Sequence, residues 1–114
     1  MTIDKISEIL KAEVCYCGER LDAEVHSACG SDLMSDVLAF VKDQSVLLTG
    51  LVNPQVIRTA EMMDMICIVF VRGKQPDEGL LALARDRDIT VLSTPYRMYT
   101  ACGMLYAAGL TGKE

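Results

Sequence analysis

Four alternations of strand-like and helix-like segments leave this chain few architectures. From residue 23 onward each short apolar run is followed by an amphipathic stretch. "AEVHSACG" (23–30) precedes "SDLMSDVLAFVKD", and "SVLLTG" (45–50) precedes a segment opening at Asn53-Pro54. "MICIVFV" (65–71) precedes "EGLLALARDRD", and "ITVLST" (89–94) precedes a last helix from about Tyr96 to Ala108. Runs rich in branched apolar residues read as strands, and apolar residues recurring every three or four positions read as helices. Short links and right-handed crossovers then predict an α/β fold, a mostly parallel sheet flanked by helices on both faces. "MICIVFV" has no polar alternation, which predicts a central strand covered on both sides. Strand order does not follow from the pattern.

Local signals support the division. Ile3, Ile6, Ile9 and Leu10 make one helical stripe, and "EVCYCG" (13–18) reads as a short strand or edge segment. Ser31 or Asp32 is positioned to cap a helix whose Leu33, Met34, Val37, Leu38 and Val41 share a face. Asn53 followed by Pro54 is a strong start signal, because proline at a first helical position lacks an N–H that would be orphaned there anyway. Val56, Ile57, Ala60 and Met63 continue that stripe, and Thr94-Pro95 repeats the cap-then-proline pattern.

Length and charge bound the function. The 114 residues suit one domain, 1–114, with one core. Sixteen acidic against eleven basic residues give a net charge of −5, which argues against broad nucleic-acid binding. No apolar run reaches membrane-spanning length, and "MTIDKISEILK" has no signal-like apolar block, so no membrane partner and a cytoplasmic location are expected. Five cysteines, an odd number without scaffold spacing, are expected to be reduced.

In open parallel sheets ligands sit beyond the carboxyl ends of the strands. Those ends here include Gly30-Ser31-Asp32, Thr49-Gly50-Leu51-Val52-Asn53, Arg72-Gly73-Lys74 and Ser93-Thr94-Pro95. Helix N-termini favour anions, and Arg58, Arg72, Lys74 and Arg97 add positive charge. The candidate ligand-binding set is therefore Gly30, Ser31, Thr49, Gly50, Asn53, Ser93 and Thr94. One helix dipole contributes about 0.3–1 kcal/mol, whereas micromolar affinity needs roughly 8 kcal/mol. Several loops would have to converge, and Gly50 to Asn53 is expected to be first of all a capped turn. Neither a Walker lysine motif nor a GxGxxG fingerprint is present.

Other constellations are sparser. Cys15 and Cys17 lie two apart and would share a strand face, with Cys29 and His26 as further soft ligands, yet no CxxC pair occurs. Cys67 and Cys102 sit in apolar segments, where cysteine commonly acts as a small hydrophobe. His26, the single histidine, lies within a predicted strand with no nucleophile at a recognised spacing, so no catalytic residues and no cofactor are assigned. The last helix, "YRMYTACGMLYAAGL", is apolar around most of its circumference. Its Tyr99, Cys102, Tyr106 and Leu110 stripe, with Met98 and Leu105 beside it, predicts a homodimer or higher homo-oligomer.

"GSDLMSDVLAFV", "VLLTGLVNPQVIRTAEMMD" and "ICIVFVRGKQPDEGLLALARDRDITVLSTPYRMYTACGMLY" resemble the DRTGG domain over nearly the whole chain. The resemblance implies a fold similar to the N-terminal domain of HPr kinase/phosphorylase, without a kinase P-loop. It also implies a regulatory role, as in CBS-domain pyrophosphatases and some phosphotransacetylases. Ser31-Asp32, Thr49-Gly50 and Ser93-Thr94-Pro95-Tyr96 match the family pattern. Leu51-Val52-Asn53 stands where the family typically has Gly-Asp-Arg, so roles of that charged pair do not carry over. Together these readings predict a non-catalytic regulatory or sensory module that binds a nucleotide or other small anion at the strand ends. The alternative is a redox or iron–sulfur accessory protein using Cys15, Cys17 and Cys29, because similar stand-alone proteins accompany iron-only hydrogenases.

Overall fold

The computed structural model describes residues 1–18, 21–40 and 44–113, with Phe40 described by its backbone alone. The elements run α1 (Ile3–Leu10), β1 (Glu13–Tyr16), β2 (Ser27–Gly30), α2 (Met34–Phe40), β3 (Ser45–Thr49), α3 (Pro54–Met62), β4 (Cys67–Phe70), α4 (Glu78–Asp86), β5 (Thr90–Ser93) and α5 (Met98–Ala107). The five strands form one sheet in the order β1-β5-β4-β3-β2. β2 to β5 are parallel, and β1 pairs antiparallel with β5. The predicted α/β class, a mostly parallel sheet flanked by helices, is the one found.

The order explains the layers. Strands β2, β3, β4 and β5 are laid down side by side, so right-handed crossovers place α2, α3 and α4 on one face. There Met34, Val37, Val56, Ile57, Leu80 and Ala84 bury against Leu47, Ile68, Phe70 and Val91. On the opposite face Ile3, Ile6 and Leu10 of α1, with Ala101 and Leu105 of α5, cover Val46, Leu48, Cys67, Val69 and Leu92. β4 is thus central and buried on both sides, as its unbroken apolar run predicts.

Several expectations about local structure need correction. The segment 23–30 is a strand only over Ser27–Gly30, so His26 lies before the strand and not within it. Residues before it are held instead by the N-terminus: Val25 N–H donates to Met1 O at 2.8 Å and Ile3 N–H to Ala23 O at 3.0 Å. Among the described side chains of α2 only Met34 and Val37 are buried, while Leu38 and the preceding Leu33 are 43 % and 58 % exposed. This helix covers the edge of the sheet, which offers a narrower surface than its centre; Val41 lies outside the described residues. Asn53 caps α3 through its side chain, which accepts from Gln55 N–H at 3.0 Å, with Pro54 in the first turn as predicted.

Thr94-Pro95 does not repeat that arrangement. Helix α5 starts at Met98, and Arg97 at its cap makes no side-chain capping bond. The buried Thr94 hydroxyl accepts from the Tyr96 N–H at 3.3 Å in a local turn and donates to Leu10 O at 2.7 Å, tying the end of β5 to the end of α1. The other end of α5 closes with a Schellman turn: Gly109 N–H donates to Tyr106 O and Leu110 N–H to Leu105 O, both at 3.0 Å. Gly109 adopts φ +106, open to glycine and costly to other residues.

Candidate functional site

The chain leaves β4 toward α4 on one face and β5 toward α5 on the other. Divergence of neighbouring connections is where an open parallel sheet leaves a crevice. Here the two loops close that space on each other. Arg72 and Gly73 take consecutive left-handed conformations, φ 62 and 67. Their N–H groups donate to Tyr96 O at 2.7 Å and Thr94 O at 2.8 Å. Ser93 adds a third tie, its hydroxyl donating to Lys74 O at 2.7 Å.

A second polar cluster forms between the ends of β2 and β3. One Asp32 carboxylate oxygen accepts from the Gly50 N–H at 2.6 Å and from the Thr49 hydroxyl at 3.0 Å. Lys74 Nζ donates to Gly50 O at 2.8 Å. A side chain on Gly50 would come within 3.1 Å of the Arg72 guanidinium. The Gly50 amide first, then the Thr49 hydroxyl and the Arg72 and Lys74 cations, hold the Asp32 carboxyl below the usual aspartate range, against some desolvation. Asp32 is therefore not the cap of α2. Ser31 provides the local turn, its hydroxyl oxygen accepting from Leu33 N–H at 3.0 Å.

The candidate set sits along one edge of the sheet, but not as one ligand shell. Ser31, Thr49, Gly50 and Asn53 lie near the β2 and β3 ends. Gly30 serves packing: a methyl group there would sit 2.7 Å from Cys102 Sγ, so glycine lets α5 approach. Ser93 faces the β4–α4 loop, and Thr94 is directed to Leu10 on the other face. Asp32, Arg72 and Lys74, which complete the polar cluster, were legible as charged residues but not as partners of Gly50.

The cysteine reading does not assemble. Cys15 and Cys17 belong to β1 and its exit, Cys29 to β2, and these are opposite edges of the sheet. Four strand spacings, about 19 Å, separate those edges, far beyond any shared metal. His26 lies before β2 and so at the other end from the Cys29 exit. Desolvation pushes the Cys15 and Cys29 thiols up, away from the thiolate a metal needs. Among the described residues no group of three or more His, Cys, Asp or Glu is placed to hold a metal ion.

On α5 the stripe expected to meet a partner divides in two. Leu105 and Leu110 are buried in this chain's own core. Tyr99 and Tyr106 are 90 % and 65 % exposed, with the half-buried Cys102 and exposed Gly103 between them. No helix among the described residues is long and apolar enough to cross a membrane.

An α/β module with a polar carboxyl edge and an apolar helix left exposed is the class that the geometry defines. The family model of the DRTGG domain matches residues 5–108, and the chain belongs to that family. No curated protein matches it. A solved structure with the same fold contains the CBS and DRTGG domains of the regulatory region of Clostridium perfringens pyrophosphatase, complexed with its activator, diadenosine tetraphosphate. The two are 19 % identical, with a TM-score of 0.76 over 91 % of this chain and 45 % of that one. This chain therefore spans less than half of the pyrophosphatase regulatory structure it resembles.

Proposed function

We propose that the chain is a non-catalytic regulatory module that senses a small anionic ligand, a nucleotide being the first class to test, at the end of β3. The observation that carries this reading is the Asp32 carboxylate. It occupies converging donors from Gly50 and Thr49 beside Lys74 and Arg72. The strand end is thus built as an anion receptor, and it holds the chain's own anion. A ligand phosphate enters by displacing Asp32, which swings the start of α2 away from β3 and changes the surface a partner reads. The nucleotide activator of the related pyrophosphatase region favours the same ligand class. A cytoplasmic location belongs to this reading.

Thermal shift tests it, using ATP and diadenosine tetraphosphate on the native chain and on Asp32→Asn. A ligand at 100 times its dissociation constant adds about 2.7 kcal/mol. The variant, freed of the competing charge, shifts more than the native chain, and adding Lys74→Gln removes the gain. No shift in either protein contradicts the ligand reading. Phosphoryl transfer from ATP to a phosphocarrier protein would contradict the non-catalytic one.

The exposed face of α5 favours a second element, a symmetric homodimer. Gly103 between Tyr99 and Tyr106 lets a second α5 approach closely while both rings bury against it. Light scattering at micromolar concentration gives a dimer for the native chain and a monomer for Tyr106→Glu. A monomeric native chain contradicts the assembly.

A further inference from the structure

We propose that the groove at the opposite, amino-terminal end of the sheet binds a phosphomonoester carried on a compact apolar body. This groove, about 450 Å³, lies between α1, the segment entering β2 and the turn that ends α5. Its volume falls within the range of small-molecule pockets, roughly 300–1,000 Å³. Val25 and Leu110, both buried, contribute apolar floor, and Lys5, His26 and Lys113, all exposed, contribute polar lining. Two lysines lining one groove stand out in a chain of net charge −5.

Among the described residues the local charges do not account for these lysines. The nearby Glu24 carboxylate is paired first with the Met1 ammonium at 2.8 Å and also interacts with His26, not with either lysine. Neither Lys5 nor Lys113 has an ion-pair partner among the described residues, and neither Nζ hydrogen-bonds to the carbonyls at the end of α5. Lys5 also sits in the first turn of α1, where the helix dipole disfavours a cation. Two ammonium groups supply donors and no acceptors, so their complement is an oxygen-rich anion. The floor beneath them requires that the anion carry an apolar group, and the volume limits that group to about one or two rings. This site shares no residue with the Asp32 cluster and stands independently of it.

Amide NMR of the full chain titrated with phenyl phosphate tests the proposal. The His26, Gly109, Leu110 and Lys113 amides shift, while Gly50 and Leu51 do not. Lys5→Gln and Lys113→Gln each weaken binding about tenfold, as expected for loss of a charge-assisted bond, and Lys11→Gln, an exposed lysine outside both sites, leaves it unchanged. Ala108→Glu, which sets a carboxylate in the groove lining, provides a second perturbation and abolishes the shifts. Absence of shifts at millimolar phenyl phosphate overturns the proposal. So do shifts that survive the double lysine variant, and shifts centred on Gly50, which would assign the anion to the β3 end.

Discussion

The polar groups at the carboxyl end of the sheet and the lysines at its amino end are treated in opposite ways. At the carboxyl end nearly every polar residue that makes the sequence look like a binding site bonds to another part of the chain. Asp32 takes the Gly50 and Thr49 donors, Ser93 and the Arg72-Gly73 amides bind the two loops together, and Thr94 secures α1. At the amino end Lys5 and Lys113 flank a groove with no such partners among the described residues. Polarity at a strand end therefore does not by itself identify a site. What matters is whether the donors and acceptors are already committed within the chain.

The largest effect expected from this contrast is at Thr94. Thr94→Val keeps the shape but orphans the Leu10 carbonyl in a buried setting. Urea denaturation should register a loss of about 2 kcal/mol, within the range for an unsatisfied buried group. A neutral result would mean that this end of the sheet tolerates loss of its internal ties.

Next comes Gly109, at the junction of α5 and the amino-end groove. Gly109→Ala forces a side chain into φ +106, and a cost of roughly 1 kcal/mol or more is expected from melting curves. Asp64 and Asp88 end α3 and α4 in the same kind of turn at φ 55. Asp64→Gly should relieve left-handed strain there and stabilise by several tenths of a kcal/mol. If the glycine removal and the glycine introduction change stability with the same sign, the turn geometry is not what controls these positions.

Asp32 carries a smaller, pH-dependent effect. Its folded carboxyl titrates below the ordinary aspartate value, so its contribution is complete above about pH 4 and is lost as pH falls through the depressed folded value. Asp32→Asn should cost under about 1 kcal/mol at neutral pH, since solvent screens an exposed carboxylate. The gap between variant and native chain should narrow in acid. A gap that widens there would assign the carboxylate a different partner.

The sequence made the layers legible because they rest on patterns every strand and helix must obey. "MICIVFV" could satisfy both faces only at the centre, and Asn53-Pro54 joins a capping oxygen to a proline that needs no donor. Thr94-Pro95 carries the same two residue properties, and Thr94 accepts from the Tyr96 N–H, but this turn does not open a helix: α5 begins only at Met98, while the threonine's proton goes to the Leu10 carbonyl 84 positions away. Cys15, Cys17 and Cys29 are close in sequence but divide between opposite edges once strand order is known. The pairing of Asp32 with Gly50 spans 18 positions, and the groove gathers Lys5, His26 and Lys113 from both ends of the chain. No local periodicity encodes such meetings.

The contrast is tested most directly by comparing two double variants in urea at neutral pH. Asp32→Asn with Thr94→Val removes committed groups at the carboxyl end, and Lys5→Gln with Lys113→Gln removes uncommitted ones at the amino end. The first should lose about 2–3 kcal/mol, and the second should stay within about 0.5 kcal/mol of the native chain. Equal losses, or a larger loss in the lysine pair, would contradict the division between an end whose polar groups are tied to one another within the chain and an end whose lysines are not.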